Sequence, residues 1–294
     1  MEETNKIIWK RILIFLLINF GLSAVFYYLL ISTTGSGASG RINYVLGLMW
    51  CPGVAALITC KLCGKSISEL GWGWGKTKYQ IASYLIPLAY ALVAYLAVWL
   101  SGLGGFYNPE FVQSAVQDFR WEGLPAGLVL FLMVILTGTL GIIRNTGFAL
   151  GEEIGWRGFL VPELAKATSF TTTALLSGTV WAMWHYPLLL FLKYNTYTPT
   201  WYRLFCFTVM VLGMSFIFAW MRLKSGNLWT GAFLHASHNL FVQEIFTPLT
   251  ADTGKTKYFI DEFGAALAIV SIIAGYIFWR MRDRLPATGP AATA

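Results

Sequence analysis

Charge is what this chain is short of. Only 12% of its 294 residues are Asp, Glu, Lys or Arg. A water-facing globular surface takes roughly 25%, so most of this surface faces something other than water. Histidine is scarcer still, with three in all. The four cysteines, Cys51, Cys60, Cys63 and Cys206, fall in or beside apolar segments and suggest no secreted disulfide framework. Cys60-x-x-Cys63 has no second cysteine pair to complete a zinc or redox site. No internal repeat is evident, and no soluble domain of any size is expected. The first apolar run follows basic residues but is too long for a signal-peptide core and has no small-residue cleavage site after it, so it is expected to stay as an anchor.

What is present is apolar: 56% hydrophobic and 16% aromatic residues, with mean hydropathy +0.60. About 20 apolar helical residues cross a bilayer core. Eight such runs are expected, at Ile12–Ile31, Tyr44–Cys60, Ile81–Leu103, Leu124–Ile143, Thr173–Leu192, Leu204–Met221, Leu228–Phe246 and Phe263–Trp279. The fold class is therefore an all-α polytopic membrane helix bundle. The net charge of +7 is assigned to loops between spans, not to a nucleic-acid partner. Alternate connections hold Lys6, Lys10, Arg11, Lys61, Lys65, Lys76, Lys78, Arg144, Arg157, Lys166, Arg222, Lys224, Arg280, Arg282 and Arg284. Only Arg41, Arg120, Lys193, Arg203, Lys255 and Lys257 fall on the other side. Lys and Arg collect on the cytoplasmic side of a membrane, so both termini are expected there, in a plasma membrane if the host is bacterial.

The fourth region runs about 52 Å from Leu124 to Gly158 if it is one straight helix, more than a bilayer needs. Gly138, Gly141 and Gly147 offer bends, so a span is expected, followed by a second helical piece carrying Gly151-Glu152-Glu153-Ile154-Gly155-Trp156-Arg157. A shorter amphipathic stretch, Phe159 to Lys166, would follow it. Polar residues inside apolar helices are costly and each needs a reason. All three histidines lie in expected spans, at His185, His235 and His238. His235 and Asn239 are four apart and share a helix face, as do Glu153 and Arg157. Glu152 lies about 100° round from Glu153, so Arg157 is expected to neutralise Glu153 while Glu152 points into the bundle. A carboxylate drawn partly out of water becomes a better base. Depth along the helices places Glu152, His185 and His235 around one cavity, expected to open on the side of the termini. His238 falls on a neighbouring face and is read as a packing residue, and Glu244 as a hydrated one.

Glu152-Glu153-x-x-x-Arg157, His185 and His235-x-x-x-Asn239 together resemble the three motifs of the CPBP intramembrane proteases. These include the CAAX prenyl protease of the Ras-converting-enzyme type and the bacterial Abi-type bacteriocin-processing or immunity proteins. The second family motif is usually Phe-x-x-x-His, whereas Trp181 stands four before His185 here. The resemblance covers roughly Leu124 to Phe246 and divides the chain into N-terminal helices (1–123), a catalytic core (124–246) and a last helix with a tail (247–294). It implies that Glu152 and His185 activate water, that His235 and Asn239 stabilise the oxyanion, and that Glu153 and Arg157 support them. It further implies a peptide or lipidated protein substrate met in the lipid bilayer. No His-Glu-x-x-His motif is present, so a divalent metal such as zinc would need ligands from separate helices; whether one takes part stays open.

Two other functions compete. One is a non-catalytic scaffold or self-immunity protein of the same fold, which the intact motifs oppose. The other is a transporter using buried histidines, which the lack of a repeated half or paired broken helices weakens. Leu70-Gly71-Trp72-Gly73-Trp74-Gly75-Lys76 lacks the spacing of a phosphate loop. The tail Leu285-Pro286-Ala287-Thr288-Gly289 lacks the apolar segment that a sorting signal requires.

Overall fold

The computed structural model describes residues 2–33, 38–192 and 197–286. Lys193 and the tail residues Ala287, Thr288 and Gly289, weighed above, lie outside them. Long apolar helices dominate: α1 (Glu2–Ser32), α2 (Ala38–Leu62), α3 (Thr77–Leu100), α4 (Pro109–Phe119), α5 (Ala126–Ala167), α6 (Phe170–Phe191), α7 (Thr200–Ser225), α8 (Trp229–His238) and α9 (Ala265–Arg280). Helix α8 continues through a π-helical segment, Asn239–Phe246. The chain is an all-α membrane bundle. Among the described residues, α1, α2, α3, α5, α6 and α7 are long and apolar enough to cross a membrane, while α9 is shorter.

Each expected run has its helix, with one revision. Residues 126–167 form one unbroken helix of 42 residues rather than a span and separate pieces. At 1.5 Å per residue it is about 63 Å long, roughly twice a hydrocarbon core. Its glycines do not end it. Thr137–Gly141, which contains Gly138 and Gly141, is instead a π-helical turn, and Ile154–Leu160 is another. The expected amphipathic stretch, Phe159 to Lys166, continues this same helix and is mostly buried. Beside this helix lies α4, capped by the Asn108 side chain accepting from the Glu110 amide. Its Val112 and Ala115 pack on Val129 and Met133. A two-residue antiparallel pairing, Gly105–Phe106 with Thr250–Ala251, ties the loop before α4 to the loop after α8.

The two ends of the bundle differ. At one end the buried carboxylate of Glu163 meets Lys166 at 2.5 Å, Lys65 at 3.4 Å and Arg11 at 3.8 Å. This basic end gathers the first turns of α1, the α2–α3 loop and the end of α5. The opposite end holds the close of α1, the start of α2 and the close of α6.

Candidate active site

The placement of Glu152 and Glu153 begins with glycine. A Cβ on Gly151 would stand 2.6 Å from the Trp50 side chain and 2.8 Å from the Met49 carbonyl. One on Gly155 would stand 2.5 Å from Pro52. The backbone of α2 therefore presses on this bare face of α5, a four-residue spacing of small residues that membrane helices use for close approach. Glu152 and Glu153 project elsewhere, and both are buried.

They take different partners. Glu153 Oε1 accepts from Arg157 Nη1 at 2.7 Å and from His235 Nδ1 at 3.0 Å. The Arg157 guanidinium is sandwiched 4.2 Å from the Trp181 ring centre and 3.9 Å from that of Phe218. Glu152 instead accepts on Oε2 from two indoles, Trp156 Nε1 at 3.1 Å and Trp181 Nε1 at 3.0 Å. The expected pairing of Glu153 with Arg157 is present, and Glu152 lines the cavity. Arg157, counted above among charges of a connecting loop, is buried in this cluster; the charge bias does not depend on it.

Two histidines have their Nδ1 side committed. His185 Nδ1 donates to the Trp181 carbonyl at 2.9 Å, and His235 Nδ1 donates to Glu153. The acceptor fixes the proton on Nδ1 in each case, which leaves both Nε2 atoms for the cavity. Asn239, at the start of the π-helical segment, lines the same space. No hydrogen bond joins Glu152 directly to His185. His238 does join helices, taking the Tyr90 hydroxyl on Nδ1 at 2.6 Å and donating from Nε2 to Glu262 at 3.0 Å. It also lines the cavity, and Gln243 donates to the same Glu262 oxygen at 2.9 Å. Glu244 is not simply hydrated; it pairs with Arg144 and accepts from Asn145.

The cavity has a volume of about 530 Å³. Glu152, His185, His235 and Asn239 lie along it, and Leu48, Met49, Met210, Val211 and Met214 supply apolar wall. It extends to Leu30, Arg41, Ile42, Leu192 and Phe263, the ends of helices opposite the basic end. The expected opening on the side of the termini is therefore corrected. Glu152 does not sit near a helix end; α5 runs on for 15 residues to Ala167, about 22 Å.

Among the described residues no three His, Cys, Asp or Glu side chains converge in metal-holding geometry. One Glu152 oxygen is already shared by two indoles. The residues as placed do not fit a resident metal, and no step is routed through one.

Indole donors to Glu152 were missed in the sequence, although Trp156 stands four after it and Trp181 four before His185. Glu262 was missed as well, because it lies in the loop before α9 with no helical spacing to His238.

A membrane helix bundle with carboxylates and histidines gathered at the floor of an apolar cavity defines a class: an integral membrane protein built for acid–base chemistry or polar-group binding within the bilayer. Residues 125–241 match the family model described as type II CAAX prenyl endopeptidase Rce1-like. CAAX prenyl protease 2 of Methanococcus maripaludis is 30% identical over 147 residues, which is 48% of this chain and 48% of that protein. The chain thus spans about half the length of the curated relative it matches.

Proposed function

We propose that the chain is an intramembrane endopeptidase that hydrolyses a peptide bond near the C-terminus of a lipid-modified, CAAX-like polypeptide. The observation that carries this reading is the unequal treatment of two adjacent carboxylates. Glu153 is committed to Arg157 and His235, while Glu152 faces the cavity with His185, His235 and Asn239. The name of the archaeal relative supports a prenylated substrate.

In this reading a water held between Glu152 and His185 Nε2 gives a proton to the carboxylate as its oxygen adds to the scissile carbonyl carbon. General-base assistance of this kind contributes about 10²–10⁴-fold. The carbonyl oxygen takes the negative charge and is met by the Asn239 amide N–H and by Nε2–H of His235. For His235 to donate on Nε2 while Nδ1–H serves Glu153, the ring must be the imidazolium. Charge balance favours that form. Two carboxylates face Arg157, and a protonated His235 brings the buried cluster to neutrality. Collapse of the tetrahedral species breaks the C–N bond, and the leaving amine takes the proton back from Glu152. The products are a carboxylate and an amine.

The test is cleavage of an internally quenched prenylated peptide by the reconstituted full chain and by Glu152→Gln. Turnover is expected to fall at least about a thousandfold in the variant, and to persist in the wild type after chelator treatment. Equal turnover of the two proteins would sink the assignment. Loss of activity on chelation, with recovery on adding zinc, would replace the glutamate-only route.

A further inference from the structure

We propose that Arg41 reads the free C-terminal carboxylate of the substrate, and so sets where along the peptide the cut falls. The inference rests on the endopeptidase reading above and adds a specificity residue to it.

The cavity sorts charge along its length. Its floor holds Glu152, and its wall holds Glu262, which is already shared by His238 and Gln243. A substrate carboxylate is repelled from both. Among the described residues, Arg41 is the one Lys or Arg lining this cavity, and no carboxylate pairs with it. An arginine stays protonated under all ordinary conditions and presents a planar fork of donors that matches a carboxylate. An unpaired guanidinium beside Ile42 and Leu30, on an otherwise apolar rim, therefore lacks the partner that a terminal carboxylate supplies.

Length agrees with charge. Arg41 lies eight residues before Met49 on α2, about 12 Å along the axis. The Met49 carbonyl packs on Gly151, the neighbour of Glu152. An extended peptide covers about 10 Å in three residues. The axial separation is thus within reach of a short C-terminal segment that follows the cut. The remaining wall is apolar and suits apolar side chains on that segment.

A plain interfacial arginine, holding α2 at the membrane surface, would lack this selectivity. The experiment compares two internally quenched prenylated peptides, identical except that one ends in a free acid and the other in a carboxamide. Both are given to the full-length protein in liposomes. The wild type is expected to prefer the acid by about tenfold or more in kcat/KM, mainly through KM. Arg41→Gln is expected to cleave the two at equal rates, and Arg41→Lys, which keeps charge but loses the fork, to show an intermediate preference. Equal cleavage by the wild type, or a preference that survives intact in Arg41→Gln, overturns the role of Arg41 and leaves the endopeptidase standing. If Arg41→Gln does not fold, an undiminished preference in Arg41→Lys overturns it. A wild type that cleaves neither peptide overturns both readings.

Discussion

Trp181 gives Glu152 a hydrogen-bond donor that the phenylalanine usual at this place in the family motif does not possess. Its indole N–H meets Oε2 at 3.0 Å, its ring covers the Arg157 guanidinium, and its carbonyl holds His185 Nδ1. One side chain thus touches the proposed base and the buried ion pair, and its backbone orients a histidine. A hydrogen bond to a charged group contributes about 1.5–3 kcal/mol. Trp181→Phe keeps the ring and the carbonyl but removes the donor, so kcat is expected to fall about tenfold or more with KM little changed. Initial-rate kinetics on the prenylated peptide would show it, and an unchanged kcat would make the indole contact incidental. Glu153 calls for a different measurement. Glu153→Gln leaves the Arg157 cation buried without its counter-charge, a loss of about 3–5 kcal/mol in comparable buried pairs. A clearly lower melting temperature in detergent is expected, whereas Glu152→Gln is expected to melt near the wild type.

Helices α2 and α5 set these residues in place by touching almost backbone to backbone. Gly155→Leu would need space that Pro52 already fills, with atoms within 2.6 Å of the first added carbon. The helices must then separate, and both folding yield and activity are expected to drop together. Size-exclusion profiles beside activity would check it, and a well-folded, fully active variant would refute the close-contact account. At this scale the sequence was legible in some respects and silent in others. Each apolar run announced its helix, because about 20 apolar residues have few other fates in a bilayer. The four-residue spacings of Glu153 with Arg157 and of His235 with Asn239 likewise placed each pair on one face. The continuity of α5 was not legible. Glycine usually counts against a helix, but here the π-helical turn at Thr137–Gly141 absorbs two of them without a break. The Gly151–Gly155 spacing was itself a readable sign of close packing. The Glu153–His235 bond was not, since it joins residues 82 apart in the chain, and no helical period links them.

The whole molecule sets two arguments against each other on one axis. By the charge bias, the Glu163 end, with its lysines and arginines, is predicted to face the cytoplasm. The cavity runs from Glu152 toward the other end. Taken together, they predict an entrance on the outer face. Ile42 is 55% exposed at that rim, and Cys63 stands in the α2–α3 loop at the basic end. In intact cells an impermeant maleimide is expected to label Ile42→Cys but not the native Cys63, which should react only after permeabilisation. The reverse pattern would mean that the charge bias misreports orientation here, and that the substrate arrives from the cytoplasm.

The polarity of the bundle has a practical side as well. The described chain begins at the Glu163 end, and α9 returns to it: the Met281 carbonyl accepts from Trp220 near the close of α7, and the Arg284 carbonyl accepts from Lys224. A fluorescent protein or affinity tag joined directly at Glu2 or Pro286, the ends of the described chain, would therefore hang from the face opposite the entrance. Such fusions should leave peptide access unobstructed, while an antibody raised against the Arg41–Ile42 rim should act as a plug.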